Sequence, residues 1–215
     1  MFEYLLEKQN RHLNIVVATS GDTGSAAIAC CRDKKRIHIY VLFPGQGRIS
    51  NLQERQMTTV IEDNVHVIAV DGTSDDADVP LRELFKDEDL RSNHGLCSIN
   101  SINWARIMIQ ISFYFYSYLQ ICDLECSQKV NFAIPCGGFG NCTAAFMAKQ
   151  MGLPIDHLLI SVNDNDTLHR LISTGVLSST SSVKKTTSPS MDIQVPYNIE
   201  RLFYLLSGQN TGLVK

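Results

Sequence analysis

The sequence predicts an α/β fold in which parallel sheets are flanked by helices. Short apolar runs alternate along the chain with longer amphipathic stretches, the pattern of repeated strand–helix–strand units. Two of these apolar runs lead directly into a glycine-containing loop and then into a helix. Hydrophobic residues make up 44% of the 215 residues and charged residues 19%, so the chain can bury a core of ordinary size.

The first half of the chain contains three predicted strands separated by helices. The strand at 37–43 is closed by Pro44 and Gly45, and Ser50 or Asn51 is a candidate N-cap for the helix that follows. The predicted strands are 15–18, 37–43 and 65–70, and the predicted helices are 2–11, 26–31, 49–60 and 74–90. Because strands and helices alternate, we expect the strands to lie parallel in one sheet.

The second half continues the alternation around one long apolar helix at 107–121. This stretch is shorter than the ~20 residues that a membrane span requires and contains Gln110, so we expect it to be buried in protein. Residues 178–190 are rich in Ser and Thr and predict a surface loop, or a short helix flanked by loops. The other predicted strands are 96–99, 130–134 and 158–162, and the other predicted helices are 142–151 and 168–173.

Composition excludes several classes of function. The net charge of −3 and the pI of about 6.0 give no basis for a nucleic-acid partner or an anionic membrane surface. The seven cysteines include no CxxC pair, and the six histidines show no ligand spacing, so we predict no metal site. Free thiols predict a reducing compartment, the cytoplasm. The first twelve residues mix both charge signs, unlike a secretory signal.

The first candidate binding site follows the first strand. Its loop consists of Thr19, Ser20, Gly21, Asp22 and Thr23, and a helix comes next. The N-terminus of a helix attracts anions through its unpaired N–H groups and its dipole, and the hydroxyl side chains add donors. The loop therefore predicts a phosphate or carboxylate site. The alternative is that Asp22 or Thr23 only caps the helix.

A second strand, glycine loop and helix follow at 130–151. Its candidate phosphate-binding residues are Gly137, Gly138, Phe139, Gly140 and Asn141. Three glycines around one aromatic residue exceed what a tight turn requires, and their backbone N–H groups can form a nest for phosphate. A tight turn is nevertheless the alternative. The loop is not a Walker loop, because no Gly-Lys-Ser/Thr follows it.

A polar cluster before the long apolar helix is the third candidate. Asn100 and Asn103 are good helix caps, while the guanidinium of Arg106 could hold an anion through two hydrogen bonds. Local chemistry leaves both roles open.

Several of these segments resemble one enzyme family. The run TSGDTGSA is similar to the substrate loop of threonine synthases, which are pyridoxal-phosphate (PLP) enzymes of fold type II. NSINWAR resembles the family segment that contacts the phosphate end of the substrate. PCGGFGN resembles the loop PSGNFGN, which cradles the cofactor phosphate, although Cys136 and Gly138 replace a hydroxyl residue and an asparagine. The segments 163–170 and 190–201 also look like family stretches, and the residue chemistry gives the latter no defined role.

The resemblance, which is strongest to animal threonine synthase-like proteins, implies a tryptophan synthase beta-like architecture, incomplete in this chain. It implies a small domain at 1–100 with the substrate loop and part of a PLP-binding domain at 101–215. Thr19, Ser20, Gly21, Asp22, Thr23, Asn100, Asn103 and Arg106 would bind substrate, and Gly137, Gly138, Phe139, Gly140 and Asn141 would bind PLP. The implied substrate is O-phosphohomoserine or a similar phosphorylated amino acid. The product would be a 2-keto acid with ammonia and phosphate, or threonine.

The family's Schiff-base lysine lies in a Phe-Lys-Asp motif that the resemblance places about ten residues before Met1. Phe85-Lys86-Asp87 has the same letters but lies after the third strand, so we expect no catalytic residue in this chain and no turnover by it. The chain thus looks like an internal fragment, and exposed apolar surface predicts a homo-oligomer. Two alternatives stay open: a non-catalytic signalling or interaction protein on the same scaffold, and a serine/threonine dehydratase-like enzyme.

Overall fold

The protein is described by a computed structural model that covers residues 2–123, 128–178 and 182–214. The predicted alternation of strands and helices is confirmed. The strands are Leu13–Ala18 (β1), Ile37–Pro44 (β2), Val65–Val70 (β3), Leu96–Cys97 (β4), Val130–Pro135 (β5) and Ile155–Ser161 (β6). The α-helices are Phe2–Gln9 (α1), Asp22–Cys31 (α2), Asn51–Thr58 (α3), Ser74–Lys86 (α4), Glu88–Asn93 (α5), Trp104–Ile121 (α6), Gly140–Gln150 (α7), Thr167–Thr174 (α8) and Ile199–Leu206 (α9).

The chain divides into two compact units. The first unit contains Met1–Asn100 and Lys185–Asp192, and the second contains Ser101–Lys184 and Ile193–Lys215. The first unit is therefore built from two separate stretches of sequence. A single turn of 3-10 helix at Pro189–Met191 lies in its second stretch.

The first unit is organised around a parallel sheet with the strand order β3-β2-β1-β4. Ile15 lies opposite Ile39 in the register, and both are fully buried. Alternate residues of β1 face two cores, one shared with α2 and α3 and the other shared with α4. Burial on both faces explains why β1 is a continuous apolar run rather than an alternating one.

Side-chain caps set the helix boundaries in this unit. Ser50 is the N-cap of α3 and forms a capping box with Gln53, so this predicted cap is confirmed. The single helix predicted at 74–90 is wrong: α4 ends at Lys86 and α5 begins at Glu88. Asp87 separates them, because its backbone is extended and its side chain accepts the N–H of Leu90 at 2.8 Å.

The second unit contains the parallel pair β5-β6, with α6, α7 and α9 contributing to its core. Helix α6 buries Ile107, Ile111, Tyr114 and Tyr118 on one face only. Phe113 and Tyr116 are exposed, so the helix that was predicted to be buried packs into the core along one face and is exposed along the other. Within the described residues, none of the helices has the length and apolarity needed to cross a bilayer.

Helices α2 and α7 begin inside the loops that the sequence predicted before them. Helix α2 begins at Asp22 instead of residue 26, and α7 begins at Gly140 instead of residue 142. In both cases small loop residues continue into helical geometry, so each loop is shorter than expected. Part of the predicted 178–190 loop, residues 179–181, lies outside the described residues, as does Cys126.

Candidate functional site

The first loop is closed by the side chain of Thr19. Its Oγ1 accepts the N–H of Gly21 at 2.9 Å and the N–H of Gly24 at 3.0 Å, and Thr19 is buried. Gly21 is the N-cap residue of α2, and its φ of 134° is one that side-chain-bearing residues rarely adopt. The prediction that Asp22 or Thr23 caps the helix is therefore wrong, since both lie inside its first turn.

Asp22 instead connects the loop to two distant segments of the first unit. Its carboxylate accepts hydrogen bonds from Gln53 Nε2 at 2.9 Å and from Ser190 Oγ at 2.5 Å. Ser20 Oγ donates to the carbonyl of Ser190 at 3.1 Å, and Gln53 Nε2 also donates to Ser190 Oγ. The loop, α3 and the returning segment thus form one hydrogen-bonded group.

Asn100 lies at the end of β1. Its side chain reproduces a strand pairing, because Oδ1 accepts the N–H of Ala18 at 3.1 Å and Nδ2 donates to the Ala18 carbonyl at 2.6 Å. The alternative in which Asn100 caps α6 is therefore wrong. Asn100 holds the point at which β1 turns into the Thr19 loop.

Asn103 and Arg106 belong to the second unit and start α6. Asn103 is the N-cap, and its Oδ1 accepts the N–H of Ala105 at 3.0 Å, which confirms the capping role. Arg106 lies in the first turn and is partly buried, and this burial lowers the pKa of its guanidinium. Arginine stays charged even so.

The glycine loop ends in a left-handed residue. Phe139 has φ 65° and ψ 3°, is buried, and is followed at once by the helical residues of α7. A left-handed residue next to helical ones directs successive N–H groups into one concavity, which is the geometry of an anion nest. The first N–H groups of α7 add to it, because they lack partners within the helix.

Close packing explains two of the glycines. A Cβ on Gly137 would lie 2.9 Å from Ile193 Cδ1, and a Cβ on Gly140 would lie 3.2 Å from Ser101 Cβ and from Ile107 Cδ1. The start of α6 therefore packs directly against the glycine loop. Asn141 faces this helix, since its Oδ1 accepts the hydroxyl of Tyr114 at 2.7 Å.

Asn198 and Arg201 also hold this loop. The Gly138 carbonyl accepts Asn198 Nδ2 at 2.8 Å and the Asn198 N–H at 3.1 Å. Asn198 Oδ1 accepts Arg201 Nη1 at 2.6 Å, and the Arg201 guanidinium also donates to the carbonyls of Ser101 and Ile102. Burial lowers the pKa of Arg201.

The sequence analysis did not predict the contacts that four residues outside these loops make with them or with their partners: Gln53, Ser190, Asn198 and Arg201. The last three lie in the 190–201 stretch, which resembles a family segment but gives no local indication of a role. Their partners are far away in sequence: 168 residues separate Ser190 from Asp22, and 97 separate Asn198 from Ser101. Among the described residues, no group of three potential ligands could hold a metal ion.

The chain is similar along its length to threonine synthases and threonine synthase-like proteins. It is 48% identical over 215 residues to threonine synthase-like 2 of Xenopus laevis, a match covering 100% of this chain and 45% of that protein. It is 44% identical over 215 residues to threonine synthase of Saccharomyces cerevisiae, covering 96% of this chain and 42% of that one. The crystal structure of PLP-bound threonine synthase from Brucella melitensis matches with a TM-score of 0.82 and 41% identity, covering 100% of this chain and 45% of the solved one. The chain has a threonine synthase-like scaffold.

This threonine synthase-like scaffold confirms the predicted fold type II architecture and the resemblance that the loops suggested. The chain spans about 45% of the length of these relatives. No family model matches the sequence.

Proposed function

We propose that this chain is the substrate- and phosphate-binding part of a PLP-dependent enzyme acting on O-phosphohomoserine or a similar phosphorylated amino acid. The reaction is elimination of phosphate to a 2-keto acid and ammonia, or formation of threonine. The observation that carries the proposal is the glycine loop, in which the left-handed Phe139 and the N-terminus of α7 direct backbone donors into one concavity. The similarity to threonine synthases supports the choice of substrate.

The phosphate of PLP fits this loop chemically. Gly137, Gly138, Phe139, Gly140 and Asn141 carry no charge that would repel a dianion, and a Cβ added to Gly138 would lie 4.0 Å from Asn198 Nδ2. The donors are backbone N–H groups, so the changes to Cys136 and Gly138 preserve them. When bound, PLP supplies an electron sink for the carbanion formed in such reactions.

The first loop is proposed to hold the carboxylate of the substrate. Thr19 already accepts the N–H groups of Gly21 and Gly24, and Ser20 Oγ donates to the Ser190 carbonyl, so the Asp22 N–H is the donor of this loop that we expect a bound carboxylate to use. Asn100, Asn103 and Arg106 are proposed for the phosphate end. Arg106 is the strongest candidate, because a guanidinium matches phosphate geometry with two hydrogen bonds.

The proposal extends to the setting of the enzyme. We propose a cytoplasmic protein that forms homo-oligomers. The exposed apolar side chains of α6, such as Phe113 and Tyr116, support self-association. We also propose that the 215-residue chain by itself binds phosphate groups without turnover.

The test compares PLP with pyridoxal, which lacks the phosphate. In a fluorescence titration, the chain is expected to bind PLP at least tenfold more tightly than pyridoxal, because only PLP has the phosphate that the glycine loop is proposed to bind. Equal affinities would contradict the phosphate site. In parallel, phosphate release from O-phosphohomoserine is measured with PLP present, followed by borohydride reduction and mass spectrometry of the lysines. PLP-dependent release, with one dominant modified lysine, would overturn the proposed lack of turnover.

A second measurement tests the substrate end. Arg106→Gln is expected to weaken the binding of O-phosphohomoserine about tenfold or more while leaving the weaker binding of homoserine unchanged. The exposed Arg82→Gln is the matched control. Equal losses for both ligands in Arg106→Gln would remove Arg106 from the phosphate end.

A further inference from the structure

We propose that Asn198, held by Arg201, is a positioning residue that fixes the Gly138–Phe139 peptide so that the Phe139 N–H faces the phosphate nest. The inference rests on the proposed function of the glycine loop and extends it to residues in the 190–201 stretch.

The first step concerns the direction of one carbonyl. The Gly138 carbonyl accepts two donors from the same residue, Asn198 Nδ2 at 2.8 Å and the Asn198 N–H at 3.1 Å. Two donors on one oxygen fix the plane of the Gly138–Phe139 peptide. In a trans peptide the C=O and N–H bonds point in opposite directions. The Phe139 N–H therefore points away from Asn198.

The second step concerns the orientation of the Asn198 amide. Asn198 is buried, with an exposed fraction of 2%. Its Oδ1 accepts Arg201 Nη1 at 2.6 Å, whereas its Nδ2 donates to Ser101 Oγ at 2.8 Å as well as to Gly138. A guanidinium can only donate, so Arg201 selects the amide orientation in which Nδ2 faces the loop. Arg201 is itself held by the Ser101 and Ile102 carbonyls.

The third step explains why this loop needs such a residue. Gly138 stands where the resembling loop PSGNFGN has an asparagine, and a glycine admits many more backbone conformations. Phe139 is already in the left-handed region, which is uncommon for a residue with a side chain. Without the Asn198 contact, the peptide between these two residues could rotate and turn a carbonyl toward the phosphate.

The test uses Asn198→Asp and Asn198→Ala in the whole 215-residue chain. The aspartate retains the pairing with Arg201 but places an oxygen opposite the Gly138 carbonyl, so it repels where asparagine donates. The readout is the ratio of the affinities for PLP and pyridoxal. We expect PLP affinity to fall about tenfold in Asn198→Ala and further in Asn198→Asp, with pyridoxal affinity unchanged. An equal fall for both ligands would overturn the proposal, because general destabilisation does not distinguish them.

Two additional variants sharpen the result. Asn64→Ala is the matched control: Asn64 donates to the carbonyls of Cys31, Lys34 and Ile37 in the first unit, so its loss affects stability and leaves the affinity ratio unchanged. Gly138→Ala introduces a Cβ that lies 4.0 Å from Asn198 Nδ2, an ordinary van der Waals distance. Because alanine restricts the backbone, we expect Gly138→Ala to restore part of the PLP affinity in Asn198→Ala. If Gly138→Ala restores none of the PLP affinity lost in Asn198→Ala, rotation of the Gly138–Phe139 peptide does not explain that loss.

A measurement without ligand separates this inference from the proposed function. The amide resonances of Gly138 and Phe139 are expected to shift and broaden in Asn198→Ala, as the peptide begins to exchange between orientations. Unchanged resonances would overturn the inference even if PLP binds well. If the resonances change but the unaltered chain does not prefer PLP to pyridoxal, the phosphate role fails together with the proposed function.

Discussion

Thr19 Oγ1 accepts the N–H of Gly24 at 3.0 Å, so the residue that follows β1 caps the helix that follows the loop. The same oxygen accepts the N–H of Gly21 at 2.9 Å. The hydroxyl therefore occupies part of the donor surface that a helix N-terminus offers to anions. It also fixes the turn that presents Ser20 and Asp22.

Replacement of Thr19 tests this cap. Thr19→Val retains the shape but removes the acceptor of two N–H groups, one of them in the first turn of α2. We expect a loss of about 2 kcal/mol in the free energy of unfolding, because a buried donor without a partner is costly. Urea unfolding at pH 7 measures it. Thr19→Ser keeps the oxygen and is expected to lose under about 1 kcal/mol; equal losses in both variants would show that the methyl group, not the hydroxyl, matters.

Gly24 is expected to be intolerant of a side chain. Its Cβ would lie 2.5 Å from Met57 Sδ, 2.7 Å from Thr19 Cγ2 and 2.9 Å from Val41 Cγ1. Gly24→Ala should cost about 1–3 kcal/mol through overpacking, despite the better helix propensity of alanine. Gly45→Ala is the matched control, because its nearest neighbour would be 3.4 Å away. Chemical denaturation of the two variants compares them, and a stable Gly24→Ala protein would show that the helix can move away from β2.

The contacts of Asp22 predict a local change in protease sensitivity. Asp22→Ala removes the acceptor for Gln53 Nε2 and Ser190 Oγ, so the returning segment loses one of its attachments. We expect trypsin to cleave after the exposed Lys184 and Lys185 about fivefold faster, corresponding to about 1 kcal/mol of local stability. Asp71→Ala is a suitable control, since the Asp71 carboxylate accepts a hydrogen bond from Gln46 Nε2 instead. Equal cleavage rates in both variants would mean that other contacts hold the segment.

The neighbouring thiols Cys30 and Cys31 are expected to differ in reactivity and in pH dependence. Cys30 is exposed, whereas burial raises the pKa of Cys31 to about 11. Because this folded-state pKa lies above the unfolded value of about 8.5, Cys31 contributes stability below that value and loses it as the pH rises toward 11. Iodoacetamide at pH 8 should label Cys30 first, as read by mass spectrometry. Unfolding midpoints between pH 8 and 11 should fall less steeply in Cys31→Ala; identical slopes would contradict the buried neutral thiol.

The sequence predicted the strands and both glycine loops because those features are local. β3 has the predicted limits, and β1 and β2 differ from prediction by two residues or fewer, since each is a short run rich in apolar residues that turn residues close. The helix starts were less accurate. Asp22 and Gly140 were assigned to loops because glycine and aspartate are typical of turns, yet both are helical once the preceding residue adopts a positive φ.

The loop contacts could not be predicted for a different reason. Gln53 has a clear local role, the capping box with Ser50, and its second role toward Asp22 appears only when α2 and α3 pack together. Asn198 is the N-cap residue of α9, and nothing local indicates its contacts with the loop, because its partners Gly138 and Ser101 are 60 and 97 residues away. A periodicity or a spacing contains no information about such pairs.

The return of Lys185–Asp192 to the first unit has a consequence for biosynthesis. A ribosome releases the residues of β1, α2 and α3 long before it releases Ser190, and the whole stretch Ser101–Lys184 is translated in between. The Thr19 loop therefore emerges without Ser190, which is the partner of Ser20 and one of the two partners of Asp22. The nascent first unit can build its sheet early, but the Thr19 loop reaches its final hydrogen bonding only after most of the second unit has been synthesised.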